Sequence, residues 1–358
     1  MTADAIGGVW NYTVELARGL VLHGYRTSVA VLGPGPTPAQ AAELTAIPGA
    51  RLVETGLPVD WICADARPVR AAGDVIAALA RSIGADIVHA NMPTLVASAT
   101  FDVPVIAVTH GCIATWWNAA RQTPLDPAYR WQREMMAEGL ARADAVVAPS
   151  ASYAATVAKE YGLTAAPIVV HNGRTQVLSV GVQEPAPHAL TVGRLWDNVK
   201  RAEVLDRAAA LIDQPFRAAG AVVGPHGERP DLTHLEVLGE LDARILAGEL
   251  ARRPVFVSAA CFEPFGLAVL EAAQAGCALV LSDIPTFREL WDGAAVFVER
   301  DDEAGYATAI RQLFEDPELR RLLGQHAARR ARRYTPEATA ASMALLYDGL
   351  LARQQAAV

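Results

Sequence analysis

Two carboxylates stand eight positions apart within the segment CFEPFGLAVLEAAQAGCALVLSD, residues 261–283. They are Glu263 and Glu271, and only a Pro, a Gly and apolar side chains separate them. A β-branched run ends at residue 258 and a helical pattern begins near residue 265, so Glu263 is predicted on the connecting loop. Ligands of open α/β sheets bind beyond the carboxyl ends of the strands. The loop therefore predicts a ligand site.

The start of the same helix predicts what that site holds. Gly266 and Leu267 fall in the first helical turn, where backbone N–H groups lack intrahelical partners and attract anions. A carboxylate cannot bind an anion, but it accepts hydrogen bonds from neutral hydroxyl groups. Hydroxyl groups beside a diphosphate indicate a nucleotide sugar, with ribose on one side and a hexose on the other.

Positive charge follows another predicted strand, in the segment TVGRLWDNVK. Arg194 and Lys200 could neutralise a diphosphate, Arg through its planar fork and Lys as a point charge. Lys200 is one of only two lysines among the 31 basic residues of the chain, the other being Lys159. Solvated loop charges are the alternative interpretation of this pair.

The first half of the chain adds three further candidate groups. Gly8 follows Gly7 at the start of a helix, where a ligand can approach the backbone closely, although the two glycines could simply form a tight turn. His110 ends the strand segment VTHGC. Trp116 and Trp117 could form a platform for a sugar acceptor, or they could fill a core or an interface.

Short apolar strands alternate with helical stretches along the whole chain, which predicts parallel sheets covered on both faces. We expect an α/β protein with two Rossmann-like domains, at residues 1–170 and 190–334. Residues 171–189 form the predicted linker, and a last helix, within 335–358, is expected to return to the first domain. The predicted strands are 27–32, 51–54, 86–90, 104–110, 144–148, 167–171, 189–193, 220–224, 234–238, 254–258, 278–282 and 295–298.

The first domain is predicted to lack its first strand. The first helix begins near Val9, and only MTADAIGG precedes it, a segment too short and too polar for a central strand. Losing about five buried apolar side chains, at about 1.5–3 kcal/mol each, would threaten a marginal fold. A chain start placed too far downstream is the explanation that we favour.

Composition excludes several functional classes. A length of 358 residues suits two domains, and 52% apolar residues suffice for two cores. The net charge of −8 argues against a duplex nucleic acid partner. The four cysteines form no CxxC pair and no signal peptide is apparent, so we expect reduced thiols and a cytoplasmic location. The histidines lack the carboxylate or cysteine spacing of a metal site.

Several segments together resemble the retaining glycosyltransferases of family 4, which have the GT-B fold, and bacterial members in particular. The segments are GGVWNYTVELARGL, VTHG, ADAVVAPSASYAATVAKEYG, VHNG, VGRL followed by Lys, and EPFGLAVLEAAQAGCALVLSD. They cover nearly the whole chain. The two acids match the paired-glutamate motif of that family, although Arg194 and Lys200 are one residue further apart than in commoner members.

The resemblance implies two parallel sheets facing across a cleft and a metal-independent transfer from a nucleoside diphosphate sugar to a hydroxyl acceptor. It implies that Glu271 binds the ribose and that Glu263 contacts the transferred sugar. Arg194 and Lys200 would hold the diphosphate with backbone N–H groups of Gly266 and Leu267. The resemblance also places Gly8 against the phosphates or the acceptor and His110 near the transferred sugar.

Two other functions, and a second interpretation of one helix, are compatible with the sequence. A sugar-nucleotide epimerase of the same fold would need acids or bases at the sugar ring, which the paired glutamates do not favour. A non-catalytic nucleotide-sugar-binding protein would bind without turnover. The Arg-rich helix at residues 319–334 could contact an anionic membrane surface, although a solvated last helix of the second domain is the favoured interpretation. The expected setting is polysaccharide or glycoconjugate synthesis.

Overall fold

The computed structural model describes residues 1–121, 123–176 and 184–357, with only the backbone of Ala357 described. Its contacts divide the chain into two units. Unit 1 comprises Met1–Arg174 and Thr335–Val358, and unit 2 comprises Thr175–Tyr334. Part of the predicted linker, residues 177–183, lies outside the described residues.

Seven parallel strands build the α/β core of unit 1, in two sheets ordered β1-β2-β3 and β4-β5-β6-β7. The strands are β1 (Thr2–Asp4), β2 (Thr27–Leu32), β3 (Ala50–Glu54), β4 (Val88–Ala90), β5 (Val105–Val108), β6 (Ala145–Ala148) and β7 (Ile168–Val169). The helices are α1 (Gly8–Leu20), α2 (Pro38–Thr45), α3 (Ala66–Ser82), α4 (Ile113–Ala120), α5 (Arg130–Arg142) and α6 (Ala151–Tyr161).

The prediction that the first strand is missing is wrong. Strand β1 pairs in parallel with β2, with Thr2 opposite Ala30 and Asp4 opposite Leu32. Three residues suffice because Thr2 and Ala3 are buried and because the polar groups of Thr2 are hydrogen bonded. The backbone N–H of Asn91 donates to the Thr2 hydroxyl at 3.0 Å, and the Asn91 side-chain amide donates to the Thr2 carbonyl at 2.8 Å.

Unit 2 contains a six-stranded parallel sheet in the order β10-β9-β8-β11-β12-β13. This is the strand order 3-2-1-4-5-6 of the Rossmann fold, and the order reverses between β8 and β11, where such sheets bind ligands. The strands are β8 (Ala189–Val192), β9 (Phe216–Ala219), β10 (Glu236–Gly239), β11 (Val255–Ser258), β12 (Leu279–Ser282) and β13 (Ala295–Val298).

One predicted strand in this sheet is displaced. The segment GAVVG at 220–224 was expected to be extended, but the strand is FRAA, Phe216–Ala219. Gly220 ends it with a φ of 135°, and a Cβ at that position would lie 1.7 Å from the carbonyl oxygen of Gly193. Only glycine allows this close approach, which explains why the apolar run that follows does not continue the strand.

The helices of unit 2 are α7 (Ala202–Ala209), α8 (Ala243–Ala251), α9 (Leu267–Gln274), α10 (Pro285–Trp291), α11 (Glu303–Glu315) and α12 (Pro317–Ala331). The last helix of the chain, α13 (Pro336–Ala357), packs on α1 of unit 1. The Thr339 hydroxyl on α13 donates to the carbonyl of His171 at 2.8 Å. Within the described part of the chain, no helix is long and apolar enough to cross a membrane.

Candidate active site

Lys200 and Glu263 meet beyond the carboxyl ends of the neighbouring strands β8 and β11. The Lys200 ammonium lies 2.5 Å from Oε2 of Glu263, and the two side chains are 23% and 16% exposed. A backbone hydrogen bond of 2.8 Å from the Cys261 N–H to the Val199 carbonyl joins the two loops. The structure therefore places these two predicted site residues in direct contact, where the strand order reverses.

Arg194 lies on the same loop as Lys200, and its position depends on an acid that sequence reasoning missed. Its guanidinium donates to Oδ2 of Asp197 at 2.7 Å and lies over the ring of Trp196, 5.6 Å from the centroid. Asp197 is buried, and its other oxygen accepts from the backbone N–H of Val199 at 3.3 Å. Asp197 is thus the N-cap of the short 3-10 turn Asn198–Lys200, which ends at the predicted site residue Lys200.

Helix α9 begins beside this pair, with Leu267 as its first residue and Gly266 as its N-cap. Gly266 has a φ of 93°, and an added Cβ would lie 3.2 Å from both Cγ of Glu263 and Cε1 of Phe287. Glycine therefore lets the helix start close to Glu263. Glu271 lies four residues after Leu267, on the same face of α9, and is half-buried.

His110 of unit 1 follows β5 after one intervening residue, and it belongs to a buried polar network. Its Nε2 lies 2.8 Å from Oδ1 of Asn91, and its ring packs edge-on against Tyr12 with centroids 4.6 Å apart. Burial lowers the pKa of His110 to about 4, so the imidazole is neutral near pH 7. A charged imidazolium is therefore not the form that would meet a ligand.

The N-terminus of α1 differs from a capped helix start. Gly8 is the first helical residue, and its N-cap Gly7 has a φ of 72°, with no atom within 4 Å of an added Cβ. Gly7 therefore leaves open space beside the first turn of α1. Gly8 and His110 both belong to unit 1, whereas Arg194, Lys200 and Glu263 belong to unit 2.

The two tryptophans of α4 form an aromatic cluster with defined partners. The ring of Trp117 packs on Tyr129 with centroids 5.6 Å apart, and its Nε1 donates to the carbonyls of Thr123 and Pro124 at 3.0 Å. The guanidinium of Arg121 lies 5.9 Å from the ring centroids of both Trp116 and Trp117. These contacts give Trp117 a structural role in holding the loop after α4, so its acceptor role remains a hypothesis.

Two arginines of the predicted basic helix donate hydrogen bonds to backbone carbonyls of unit 2. Arg320 donates to the carbonyls of Ala186 and Arg253, and Arg330 donates to those of Leu290 and Asp292. These side chains bind the backbone of unit 2 and do not form a free basic surface. Among the described residues, no cluster of three or more His, Cys, Asp or Glu side chains could hold a metal ion.

Comparison with known proteins agrees with this geometry. Residues 6–174 match the family described as Glycosyltransferase Family 4, and residues 186–316 match the family described as Glycosyl transferases group 1. The chain is 30% identical over 230 residues to the phosphatidyl-myo-inositol mannosyltransferase of Mycolicibacterium smegmatis, a match that covers 62% of this chain. The match spans 55% of that relative.

Solved structures share the fold over nearly the whole chain. The sucrose-phosphate synthase of Thermosynechococcus elongatus has a TM-score of 0.78 at 19% identity, covering 98% of this chain and 96% of that one. Anabaena HepE in complex with UDP-glucose has a TM-score of 0.73 at 16% identity, covering 98% and 100% of the two chains. The chain therefore has the GT-B fold of these structures, and it matches glycosyltransferase family 4 in its first half and glycosyl transferases group 1 in its second.

Proposed function

We propose that this protein transfers a hexose from a nucleoside diphosphate sugar to a hydroxyl acceptor, with retention of the anomeric configuration and without a metal ion. The contact between Lys200 and Glu263 carries the proposal. It joins a cation suited to a diphosphate with a carboxylate suited to sugar hydroxyls, at the point of the unit 2 sheet where ligands bind.

Different side chains of unit 2 bind different parts of the sugar donor. Lys200 and Arg194 neutralise the diphosphate, together with the N–H groups at the start of α9. Glu263 accepts hydrogen bonds from the transferred sugar, and Glu271, one turn into α9, accepts them from the ribose. Both cations then stabilise the negative charge that develops on the leaving diphosphate.

The transfer needs no protein base in this proposal. A phosphate oxygen of the leaving group takes the proton of the acceptor hydroxyl as the new glycosidic bond forms on the same face of the sugar. The protein supplies positioning and charge stabilisation. The neutral state of His110 near pH 7 supports a role in hydrogen bonding to the sugar, not as a cation.

The comparisons support a nucleotide sugar as the substrate class. Anabaena HepE was solved with UDP-glucose, and the curated relative is named as a mannosyltransferase. A panel of UDP-, GDP- and ADP-linked hexoses therefore tests the proposal. One sugar donor should raise the melting temperature, since a ligand at about 100 times its Kd stabilises the native state by about 2.7 kcal/mol. The same compound should be hydrolysed slowly in the absence of an acceptor.

The control is the Lys200→Ala variant, assayed with and without EDTA. Lys200→Ala should hydrolyse the sugar donor at least about a hundredfold more slowly, because the leaving diphosphate loses a stabilising charge. EDTA should leave the wild-type rate unchanged. A thermal shift without turnover under any condition would contradict catalysis and indicate a binding protein, and release of an epimerised nucleotide sugar would indicate an epimerase.

A further inference from the structure

A chain of hydrogen bonds in unit 1 leads from the C-terminal helix to His110. The Tyr347 hydroxyl on α13 lies 2.7 Å from Nδ1 of His89, and Nε2 of His89 lies 2.9 Å from Oδ1 of Asn91. The same Oδ1 is 2.8 Å from Nε2 of His110. His89, Asn91 and Tyr347 are all buried, so water does not replace these contacts readily.

The partners of the Asn91 amide group fix its orientation. Nδ2 lies 2.8 Å from the carbonyl oxygen of Thr2 and 3.1 Å from the hydroxyl oxygen of Thr13. A backbone carbonyl can only accept, so the atom facing it must be the NH₂ group. Oδ1 therefore faces the two histidines, and because an amide oxygen can only accept, both imidazoles must donate to it from Nε2.

This orientation assigns the proton of each histidine. We propose that Asn91 is a positioning residue that holds His110 in the neutral tautomer with its proton on Nε2, leaving Nδ1 as an acceptor for a hydroxyl group. Among the described residues, His110 makes no other side-chain hydrogen bond than that to Asn91. His89 takes the same tautomer, and its Nδ1 accepts from the Tyr347 hydroxyl.

The wider network explains why one tautomer is favoured. All four hydrogen-bonding positions of the Asn91 amide group are occupied, by Thr2, Thr13, His89 and His110. Moving the His110 proton to Nδ1 would set two acceptors, Nε2 and Oδ1, 2.8 Å apart in a partly buried site, which costs more than the lost hydrogen bond alone. Burial also lowers the pKa of both imidazoles, to about 4 for His110 and about 3 for His89.

The tautomer can be measured without substrate. In the full-length chain labelled with ¹⁵N-histidine, long-range ¹H–¹⁵N correlation distinguishes the two neutral tautomers and the imidazolium, and the His110→Gln variant assigns the signal. At pH 7 we expect His110 to be protonated on Nε2 alone. A signal with the proton on Nδ1, or an imidazolium, would overturn the inference, and this measurement needs no variant at position 91.

The variants connect the tautomer with turnover. Asn91→Leu removes the acceptor, so His110 should become a mixture of tautomers and kcat for sugar-donor hydrolysis should fall about tenfold, with a smaller change in KM. Thr13→Val is the matched control: it removes one partner of Nδ2 but leaves the Thr2 carbonyl to fix the amide, so tautomer and kcat should be unchanged. An unaltered tautomer or an unaltered kcat in a folded Asn91→Leu variant would refute the positioning role.

The kinetic part of the inference rests on the proposed sugar transfer, whereas the tautomer assignment does not. If the wild type hydrolyses no nucleotide sugar, the proposed function fails. The spectra of the wild type and of Asn91→Leu would still confirm or refute the assignment of the His110 proton to Asn91. The two failures are therefore distinguishable.

Discussion

The guanidinium of Arg194 donates to Oδ2 of Asp197 at 2.7 Å, although Arg194 is half exposed and the Asp197 side chain is only 3% exposed. The buried carboxylate thus orients a cation that reaches into solvent. Asp197 also caps the turn that carries Lys200. One acid, three positions along the chain from each of them, therefore positions both cations proposed to hold the diphosphate.

We expect Asp197→Ala to weaken sugar-donor binding about tenfold, because both cations lose their orientation. The variant should also lower the free energy of unfolding by about 1–2 kcal/mol through loss of the N-cap. Calorimetric titration and urea unfolding measure the two effects. Asp283→Ala is the control, since Asp283 forms a two-pronged but exposed ion pair with Arg288 and should cost at most about 1 kcal/mol. Equal effects of the two variants would contradict the role of Asp197.

The pair formed by Lys200 and Glu263 predicts a measurable coupling energy. Both side chains are largely buried, so removing either one leaves a poorly solvated charge, whereas removing both does not. A double-mutant cycle with Lys200→Ala and Glu263→Ala should therefore give a coupling of about 1 kcal/mol or more in urea unfolding.

An exposed pair on unit 1 provides the matched control for that cycle. Arg70 and Glu138 lie 3.1 Å apart, but their side chains are 41% and 45% exposed. Their coupling should be no more than about 0.5 kcal/mol, because solvent screens the pair. A coupling at Lys200 and Glu263 as small as this would show that the two charges do not depend on each other.

Sequence reasoning proposes the residues of the candidate site, but it does not predict the contacts that hold them in place. The motif residues of unit 2 could be predicted because glutamates in an apolar run and a lysine in an Arg-rich chain are conspicuous. Asp197 was missed, although Asp before a short turn is an N-cap signal. Asn91 gave no signal in the sequence, since its role depends on Thr2 and His110, which are far from it along the chain.

The two wrong predictions about the fold also concern contacts between residues that are far apart along the chain. The polarity of residues 1–8 argues against a strand there, but Thr2 is hydrogen bonded to Asn91, 89 positions away. Strand β9 was misplaced because the apolar run at 220–224 outweighed FRAA, and the close approach of Gly220 to Gly193 is a tertiary contact. Local sequence patterns predict that a strand or helix is present, whereas contacts with residues distant along the chain determine where it begins and ends.

Replacing Gly266 with a larger residue should cause a steric clash at the start of α9. Gly266→Ala places a Cβ 3.2 Å from Glu263 and Phe287 at a φ of 93°, so we expect a loss of about 1–3 kcal/mol in the free energy of unfolding. Sugar-donor binding should also weaken, because Glu263 must move. Gly349→Ala is the control: Gly349 lies within α13 with no atom within 4 Å of an added Cβ, and the change should stabilise by about 0.5–1 kcal/mol. A stable, fully active Gly266→Ala variant would contradict the requirement for glycine.

Two buried tyrosines of unit 1 form a natural pair of variants. The Tyr12 hydroxyl has no hydrogen-bond partner in the described part of the chain, whereas the Tyr347 hydroxyl lies 2.7 Å from His89. Tyr12→Phe should therefore be neutral or slightly stabilising, and Tyr347→Phe should cost about 1 kcal/mol or more, because Nδ1 of His89 loses its partner. Thermal unfolding of both variants tests this order, and a reversed order would refute the assigned hydrogen bond.

Asp206 predicts a pH-dependent contribution to the stability of unit 2. Its Oδ1 accepts from the backbone N–H groups of Thr233, His234 and Leu235 at 2.9–3.0 Å. Burial raises the pKa of this carboxyl, but the three N–H groups outweigh that effect and the net pKa is lowered. A lowered folded-state pKa means that the stabilisation is complete above the unfolded value of about 3.9 and is lost as the pH falls through the folded value.

The Asp206→Asn variant isolates this contribution because its amide does not titrate. We expect it to lower the free energy of unfolding by about 1–3 kcal/mol at pH 7, since one oxygen and an NH₂ group replace the carboxylate facing three N–H donors. The difference from the wild type should shrink as the pH falls below about 4, because the carboxyl is then protonated first in the unfolded chain and, at lower pH, in the folded protein. Urea unfolding of both proteins at pH 7, 5 and 3.5 measures this difference in the free energy of unfolding. A difference that stays constant over this range would show that the charge of Asp206 does not hold the segment at residues 233–235.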